Sequence, residues 1–265
     1  MLNETFGSSK PIIAMVHFPP LPGTPLYDAK GGMQKIIDSA ARDIAALQKG
    51  GVDALMFGNE GDRPYVLKAT PSTLSAYAFA VGQLRGQITV PFGVNYLWDP
   101  YATVALGIAT GAAFVREIFT GVYDSDMGLW VPNAADALRL RAERQRGDLK
   151  VMYNINAEFA SPAGSRTIAQ RAKSAVFASL ADIVLVSGPA TGEAVELSNL
   201  KEAKSAIPAT PVFANTGVNL DNVAAILKAG DGAIIGTHFK VDGDTWNPVD
   251  GERVKRFMEK VRSLR

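Results

Sequence analysis

Two glycine-containing segments near the C-terminus have the composition of an anion-binding site. They are Asn215-Thr216-Gly217-Val218-Asn219 and Gly236-Thr237-His238-Phe239-Lys240, and each follows a short apolar run. Glycine lets backbone amides approach phosphate oxygens, threonine adds a hydroxyl donor, and a short helix beginning near Thr237 would direct free amides at the anion. Lys240 would add positive charge. Tight turns are the alternative reading of both glycines. The predicted phosphate-binding residues are Ser187, Gly188, Thr216, Gly217, Gly236 and Thr237.

Two carboxylates are candidates for acid and base chemistry. Glu117 and Glu158 each follow or end a predicted strand, and two carboxyl groups in different surroundings can divide proton donation and abstraction between them. Glu117 could instead pair with Arg116, and Glu158 could cap an exposed loop. Asp126, Glu60 and Asp62 rank below these two because loop carboxylates are usually solvated.

His17 ends the first predicted strand, just before the proline-rich segment 18–23. A neutral imidazole there could act on substrate or donate one hydrogen bond within the loop. Five asparagines also lie at or just after predicted strands, and their amides can both donate to and accept from the hydroxyls of a polyol or ribose. A structural polar network is the alternative. The predicted substrate-binding residues are Asn59, Asn95, Asn154, Asn156 and Asn215.

Several classes of chemistry are disfavoured by what the chain lacks. It has no cysteine and only two histidines, far apart in sequence, so no metal-ligand spacing is present. We therefore predict no cofactor, although carboxylates from separate loops leave a divalent metal such as magnesium open. Neither the phosphate-loop motif of nucleotidases nor the Gly-x-Ser-x-Gly motif of hydrolases occurs.

Composition indicates a globular protein with a small-molecule partner. The formal net charge of +1 offers no broad field for nucleic acid, and no apolar run reaches the roughly 20 residues of a membrane span. The N-terminal residues lack the basic and apolar regions of a signal peptide, so we expect a cytoplasmic protein. A homo-oligomer is left open.

Short apolar runs alternate with longer segments that have apolar positions at helical spacing, which predicts βα units. The predicted strands are Ile12–His17, Ala54–Phe57, Phe92–Tyr96, Ala113–Phe119, Lys150–Ile155, Ile183–Val186, Val212–Asn215 and Ala233–Ile235. The predicted helices are Gln34–Lys49, Pro71–Arg85, Pro100–Thr110, Ala134–Gln145, Ser165–Ser179, Glu193–Ala206, Leu220–Lys228 and Asp250–Leu264. Eight such units without a Gly-x-Gly-x-x-Gly opening predict a single (β/α)8 TIM barrel over residues 1–265.

The barrel places function at the C-terminal ends of its strands, where the candidate residues above would meet. Alternation along a strand further predicts which of them face inward. On this basis we expect Asn95 to share an inward face with Gly93, and Glu117 to share one with Val115.

Four stretches of the chain resemble the BtpA family. They are Met15–Gly23, Gly58-Asn59-Glu60, Gly93–Asp99 and Phe114–Glu117, and the segment Phe119–Gly128 strengthens the match. The similarity covers nearly the whole chain. It implies a barrel like those that bind ribulose phosphate, which agrees with the phosphate segments.

The resemblance leaves two classes of function open. Some family members look like sugar-catabolism proteins or nucleosidases, which favours an enzyme that isomerises or cleaves a small phosphorylated sugar or nucleoside-like compound. The name-giving member is associated with photosystem I, which favours a noncatalytic assembly or stability factor. A polar barrel mouth distinguishes them, because a scaffold gains nothing from buried polar groups there.

Overall fold

Eight parallel strands close into a barrel in the computed structural model, which describes residues 1–265. The barrel strands are β1 Ile12–His17, β2 Ala54–Gly58, β3 Phe92–Asn95, β4 Phe114–Glu117, β7 Lys150–Asn154, β9 Ile183–Val186, β10 Val212–Ala214 and β11 Gly232–Ile235. Each pairs with the next in this order around the barrel, and β11 pairs with β1 to close it. The predicted TIM barrel is confirmed.

Helices follow the barrel strands and pack on the outside. They are α2 Gly32–Gly50, α3 Pro71–Leu84, α4 Pro100–Thr110, α5 Ala134–Glu143, α6 Ile168–Phe177, α7 Leu197–Ala206, α8 Val223–Ala229 and α9 Gly251–Arg262. Side-chain caps begin several of them, as where Asp99 accepts hydrogen bonds from the first backbone amides of α4. None of the helices is both long and apolar enough to pass through a membrane.

A short additional helix, α1 (Leu2–Phe6), was not predicted from the sequence. Its Phe6 ring lies 5.3 Å from Phe114 and 6.3 Å from Phe213, two residues of the barrel interior. The helix therefore closes the N-terminal end of the barrel with an aromatic side chain, so that the open end is the one where the strands finish.

The face predicted for β4 is wrong. Phe114 packs inside the barrel, whereas Val115 belongs to the outer core between strands and helices. A Cβ at Gly107 of α4 would meet Val115, which places that side chain against the helix layer. Strand alternation then points Arg116, in phase with Phe114, into the barrel.

A small antiparallel sheet lies beside the barrel mouth and was also not predicted. It consists of β5 Tyr123–Ser125, β6 Gly128–Trp130 and β8 Ala160–Pro162, in the order β6, β5, β8. The predicted strand Ala113–Phe119 ends early, because Ile118 leaves the barrel wall and packs with Trp98 and Trp130 under this sheet.

Candidate active site

A cavity of about 240 Å³ opens at the C-terminal end of the barrel. This volume suits a small metabolite, since pockets for drug-sized ligands begin at roughly 300 Å³. The charged or titratable side chains that line it are His17, Glu60, Tyr65, Arg116, Glu158, His238 and Arg253. Polar groups from at least five different strand ends therefore meet in one space.

The two predicted phosphate segments lie together on one side of this cavity. Thr216, Gly217, Gly236 and Thr237 all line it. The backbone amides of Thr216, Gly217, Val218 and Gly236 donate to no acceptor within the protein, so they are available to a ligand. As predicted from the sequence, a short helix starts at Thr237, and it is a 3-10 helix over Thr237–Phe239.

Glycine is required at Gly217 for two reasons. Its φ of +60° is a backbone conformation that other residues rarely adopt, and a Cβ there would collide with the backbone of Glu193 and Ala194. The loop after β9 is thereby pressed against the loop after β10. This close contact brings Thr191 and Gly192 into the cavity wall.

Arg253, in the first turn of α9, was missed by the sequence analysis. Its Nε donates to the carbonyl oxygen of His238 at 2.7 Å, which fixes the guanidinium beside the loop after β11. The two terminal nitrogens make no hydrogen bond within the protein, and the residue lines the cavity. The only available indication in the sequence was its place at the start of the helix that follows the second glycine segment.

Three other residues expected at the anion site are used within the protein. Neither Ser187 nor Gly188 lines the cavity, and the amide of Gly188 donates to Thr216 Oγ1. Lys240, expected to add charge, is 2% exposed and its Nζ lies 2.6 Å from Asp43 Oδ2. It holds the last loop to α2 instead of facing the ligand.

Glu158 lies in the cavity wall at the end of a hydrogen-bonded chain. Its Oε2 accepts from Thr191 Oγ1 at 2.9 Å, and its Oε1 accepts from Asn215 Nδ2 at 3.3 Å and from Ser187 Oγ at 3.4 Å. Burial raises the pKa of this carboxyl, while Arg116 and the hydroxyl donors oppose the rise by stabilising the charged form.

Glu60 and His17 form the second titratable pair, with His17 Nε2 3.6 Å from Glu60 Oε1. Burial raises the pKa of Glu60 to about 7, and the nearby charge of Glu158 adds to this effect. Burial, with help from Lys240 and Arg116, lowers the pKa of His17 well below its ordinary range. At neutral pH a neutral imidazole therefore lies beside a carboxyl whose pKa is close to the pH of the solution.

Glu60 was ranked too low from the sequence, because the loop after β2 is folded inward instead of being solvated. The carboxyl is 6% exposed, and its Oε2 has no hydrogen-bond partner. Its position directly after the Gly58-Asn59 pair at the end of β2 was the available indication.

Glu117, the leading catalytic candidate from the sequence, does not line the cavity. It is 1% exposed; its Oε1 accepts from Asn95 Nδ2 at 2.9 Å, and its Oε2 accepts from the amide of Ile118. It forms no ion pair with Arg116, whose Nη1 donates to Asn215 Oδ1 at 3.0 Å. Burial raises the pKa of Glu117 to about 8. Its catalytic role stays a prediction.

Replacing Glu117 with glutamine distinguishes the two roles open to this residue. The amide keeps the shape but removes the ionisable proton, so a catalytic group would lose about 100-fold in turnover with the fold intact. From its contacts we expect turnover on an identified substrate close to that of wild type, because the Glu117 carboxyl does not line the cavity. A large loss at unchanged melting temperature would restore the catalytic assignment.

Of the five asparagines, only Asn215 lines the cavity. Asn59 donates to Asp62 and accepts from the amide of Leu97, and so joins the loops after β2 and β3. Asn156 exchanges two hydrogen bonds with the backbone of Ser187. The structural network considered from the sequence therefore accounts for the contacts of these two residues.

Asn95 and Asn154 are buried and do not line the cavity, and each has a side-chain oxygen without a hydrogen-bond partner. The amide nitrogen of Asn154 donates to Ser187 Oγ at 2.8 Å, and that of Asn95 donates to the carbonyl oxygen of Arg116 at 2.8 Å. They support the wall that carries Arg116 and Glu158. The chain has no group of three or more acidic or histidine side chains arranged to hold a metal ion.

Solved structures with this architecture include enzymes of phosphorylated compounds. The chain is similar to (S)-3-O-geranylgeranylglyceryl phosphate synthase from Thermoplasma acidophilum, with a TM-score of 0.60 and 13% identity over 99% of this chain and 97% of that one. Phosphoribosyl anthranilate isomerase from Thermus thermophilus gives a TM-score of 0.59 and 13% identity over 96% and 100%. At such identities the likeness shows the fold alone.

Sequence relatives are much nearer. The sgc region protein SgcQ of Escherichia coli is 47% identical over 264 residues, covering 100% of this chain and 98% of that protein. The photosystem I biogenesis protein BtpA of Synechocystis is 31% identical over 261 residues, covering 97% and 90%. The model of the BtpA family matches residues 8–263. The chain therefore belongs to the BtpA family.

Proposed function

We propose that this protein is an enzyme that isomerises or cleaves a small phosphorylated sugar or nucleoside-like compound by acid and base catalysis. The observation that carries the proposal is the meeting, in one cavity, of buried carboxyls with unspent backbone amides. Glu60 and Glu158 supply the proton-transfer groups, and Gly217 and Gly236 supply amides for a phosphate. His17 and Arg116 line the same cavity and complete the set of residues that contact the reacting atoms of the substrate.

The energetic cost of this arrangement supports a catalytic role. Burying a carboxyl raises its pKa because the charged form loses hydration. This burial lowers the stability of the folded protein, and carboxyls with raised pKa values are found mainly at functional sites. A pKa of about 7 for Glu60 suits a group that must both give and take a proton at neutral pH. A protein whose surface alone was functional would gain nothing from it.

A phosphate at the glycine loops would be stabilised in three ways. The free amides of Gly217, Val218 and Gly236 can donate to its oxygens, Arg253 can supply positive charge, and Asn219 lies in the same wall. Each is favourable for an anion with several acceptor oxygens.

Self-association and a cytoplasmic location stay predictions.

A second function is favoured by one relative. The Synechocystis protein of 31% identity bears the name of a photosystem I biogenesis factor, so a role in assembly is the alternative. Such a factor would act through its surface and would not depend on the cavity.

Ligand-induced stabilisation separates the two functions. We expect inorganic phosphate and ribose 5-phosphate to raise the melting temperature, because a ligand at 100 times its Kd stabilises the folded state by about 2.7 kcal/mol. Unphosphorylated ribose should do so far less.

Arg253→Gln should weaken this effect, and Arg256→Gln is the matched control because Arg256 is exposed on the same helix. A melting temperature that no phosphorylated compound changes would favour the assembly role.

A further inference from the structure

Arg116 is a buried cation that forms no salt bridge. It is 6% exposed, it lines the cavity, and no carboxylate oxygen lies within 4.0 Å of its guanidinium nitrogens. A guanidinium has five N–H donors, of which the side-chain oxygen of Asn215 takes one at 3.0 Å. The other four donate to no acceptor within the protein.

Such a group is expensive to bury unless a ligand completes it. Taking a charge out of water costs several kcal/mol, and this cost is offset only when donors and charge are matched. Arg116 belongs to β4 and donates to Asn215, whereas Arg253 belongs to α9 and donates to the carbonyl oxygen of His238. Two cations from different elements therefore line the cavity.

We infer that Arg116 is the electrophilic catalytic residue and binds the carbonyl oxygen of an open-chain phosphorylated α-hydroxy aldehyde or ketone. The inference rests on the proposed function and names its substrate class. The phosphate binds at Gly217, Gly236 and Arg253, and the carbonyl oxygen binds at Arg116.

Charge balance favours a carbonyl over a carboxylate at Arg116. Glu60 and Glu158 line the same cavity, and the charge of one already raises the pKa of the other. A permanent anion would add a third negative group around one guanidinium. A carbonyl oxygen becomes negative only when a carboxylate takes up a proton, so the net charge of the cavity does not change during the step.

The step balances as a proton transfer. The carboxylate of Glu158, which accepts hydrogen bonds from Thr191 and Asn215, takes the proton from the carbon next to the carbonyl. The C–H bond breaks, its electron pair forms a C=C bond, and the carbonyl oxygen becomes an oxyanion at Arg116. Glu60 in its protonated form gives that oxygen a proton, which yields the enediol.

Imine chemistry is not available to the same cavity. No lysine lines it, and the amine of Lys240 is held by Asp43. A substrate carbonyl must be activated by hydrogen bonds and charge, which is the role that a planar guanidinium fills.

Titration calorimetry with three probes tests this assignment. Glycerol 3-phosphate has a phosphate but neither a carbonyl nor a carboxylate. The second probe, 2-phosphoglycolate, has a carboxylate as well, and phosphoglycolohydroxamate resembles an enediolate. We expect the wild-type protein to bind the hydroxamate about 100-fold or more tightly than glycerol 3-phosphate, as intermediate analogues bind tightly. In Arg116→Gln this gain should fall below about tenfold, with the Kd of glycerol 3-phosphate unchanged.

The outcomes separate this inference from the proposed function. If glycerol 3-phosphate binds and the hydroxamate binds no more tightly, the role of Arg116 is overturned and the phosphate site stands. If 2-phosphoglycolate binds most tightly, Arg116 is a carboxylate site and the inference is wrong. If no probe binds, the proposed function itself fails. Should Arg116→Gln not fold, Arg116→Lys keeps the charge, and the wild-type series alone still decides.

Discussion

Glu158→Gln is expected to lower turnover on the enzyme's substrate by about 100-fold or more while the protein stays folded. The amide oxygen can accept the hydrogen bond from Asn215 and the amide nitrogen can donate to the Thr191 hydroxyl, so the wall of the cavity keeps its shape. What it loses is the ability to accept a proton. The measurement is kcat at saturating substrate, with the melting temperature recorded beside it.

Glu193→Gln is the matched control for this change. Glu193 lies in the neighbouring loop after β9, its side chain is exposed, and it does not line the cavity. Its replacement should leave kcat unchanged. Equal kcat values for Glu158→Gln and the wild type would remove Glu158 from the mechanism.

Glu60→Gln is expected to make the protein more stable at alkaline pH. It should also reduce the dependence of the free energy of unfolding on pH. The folded state raises the pKa of Glu60 from 4.5 to about 7, so it holds the proton more tightly than the unfolded state. The contribution of this residue to the free energy of unfolding therefore falls between these two pH values and stays low above them. The expected size is about 3 kcal/mol.

Urea unfolding at pH 5 and pH 8 measures this effect. The loss of stability between the two values should be smaller in Glu60→Gln than in the wild type, and Glu252→Gln serves as an exposed control. Glu117 and Glu158 also have raised pKa values, so part of the loss remains in every variant. An identical loss of stability in Glu60→Gln would mean that folding does not raise the pKa of Glu60.

The barrel could be predicted because its information is local. Apolar runs of strand length, helical spacing between them and glycine at the turns repeat eight times along the chain, and each unit is readable by itself. The glycine segments after β10 and β11 were identified for the same reason, because sequential neighbours form each loop. Helix α1 was missed since its apolar side chains, Leu2 and Phe6, pack against distant strands.

The candidate site was harder to predict because its geometry depends on where each strand enters the barrel. At Arg116 and Glu117 a single residue of phase decides which side chain faces the cavity, and the chain shows two polar residues in a row. Glu60 and Arg253 are brought in by loop folding and by the docking of α9, which leave no periodic pattern. The asparagines were recognisable as strand-end residues, but their partners were not.

The most direct measurement is a crystal structure of the protein soaked in phosphate. The account predicts one anion in the barrel mouth, with its oxygens about 3 Å from the backbone nitrogens of both Gly217 and Gly236 and with Arg253 beside it. An anion found consistently elsewhere, with these two loops too far apart to share it, would contradict the central claim that this cavity holds a phosphorylated substrate.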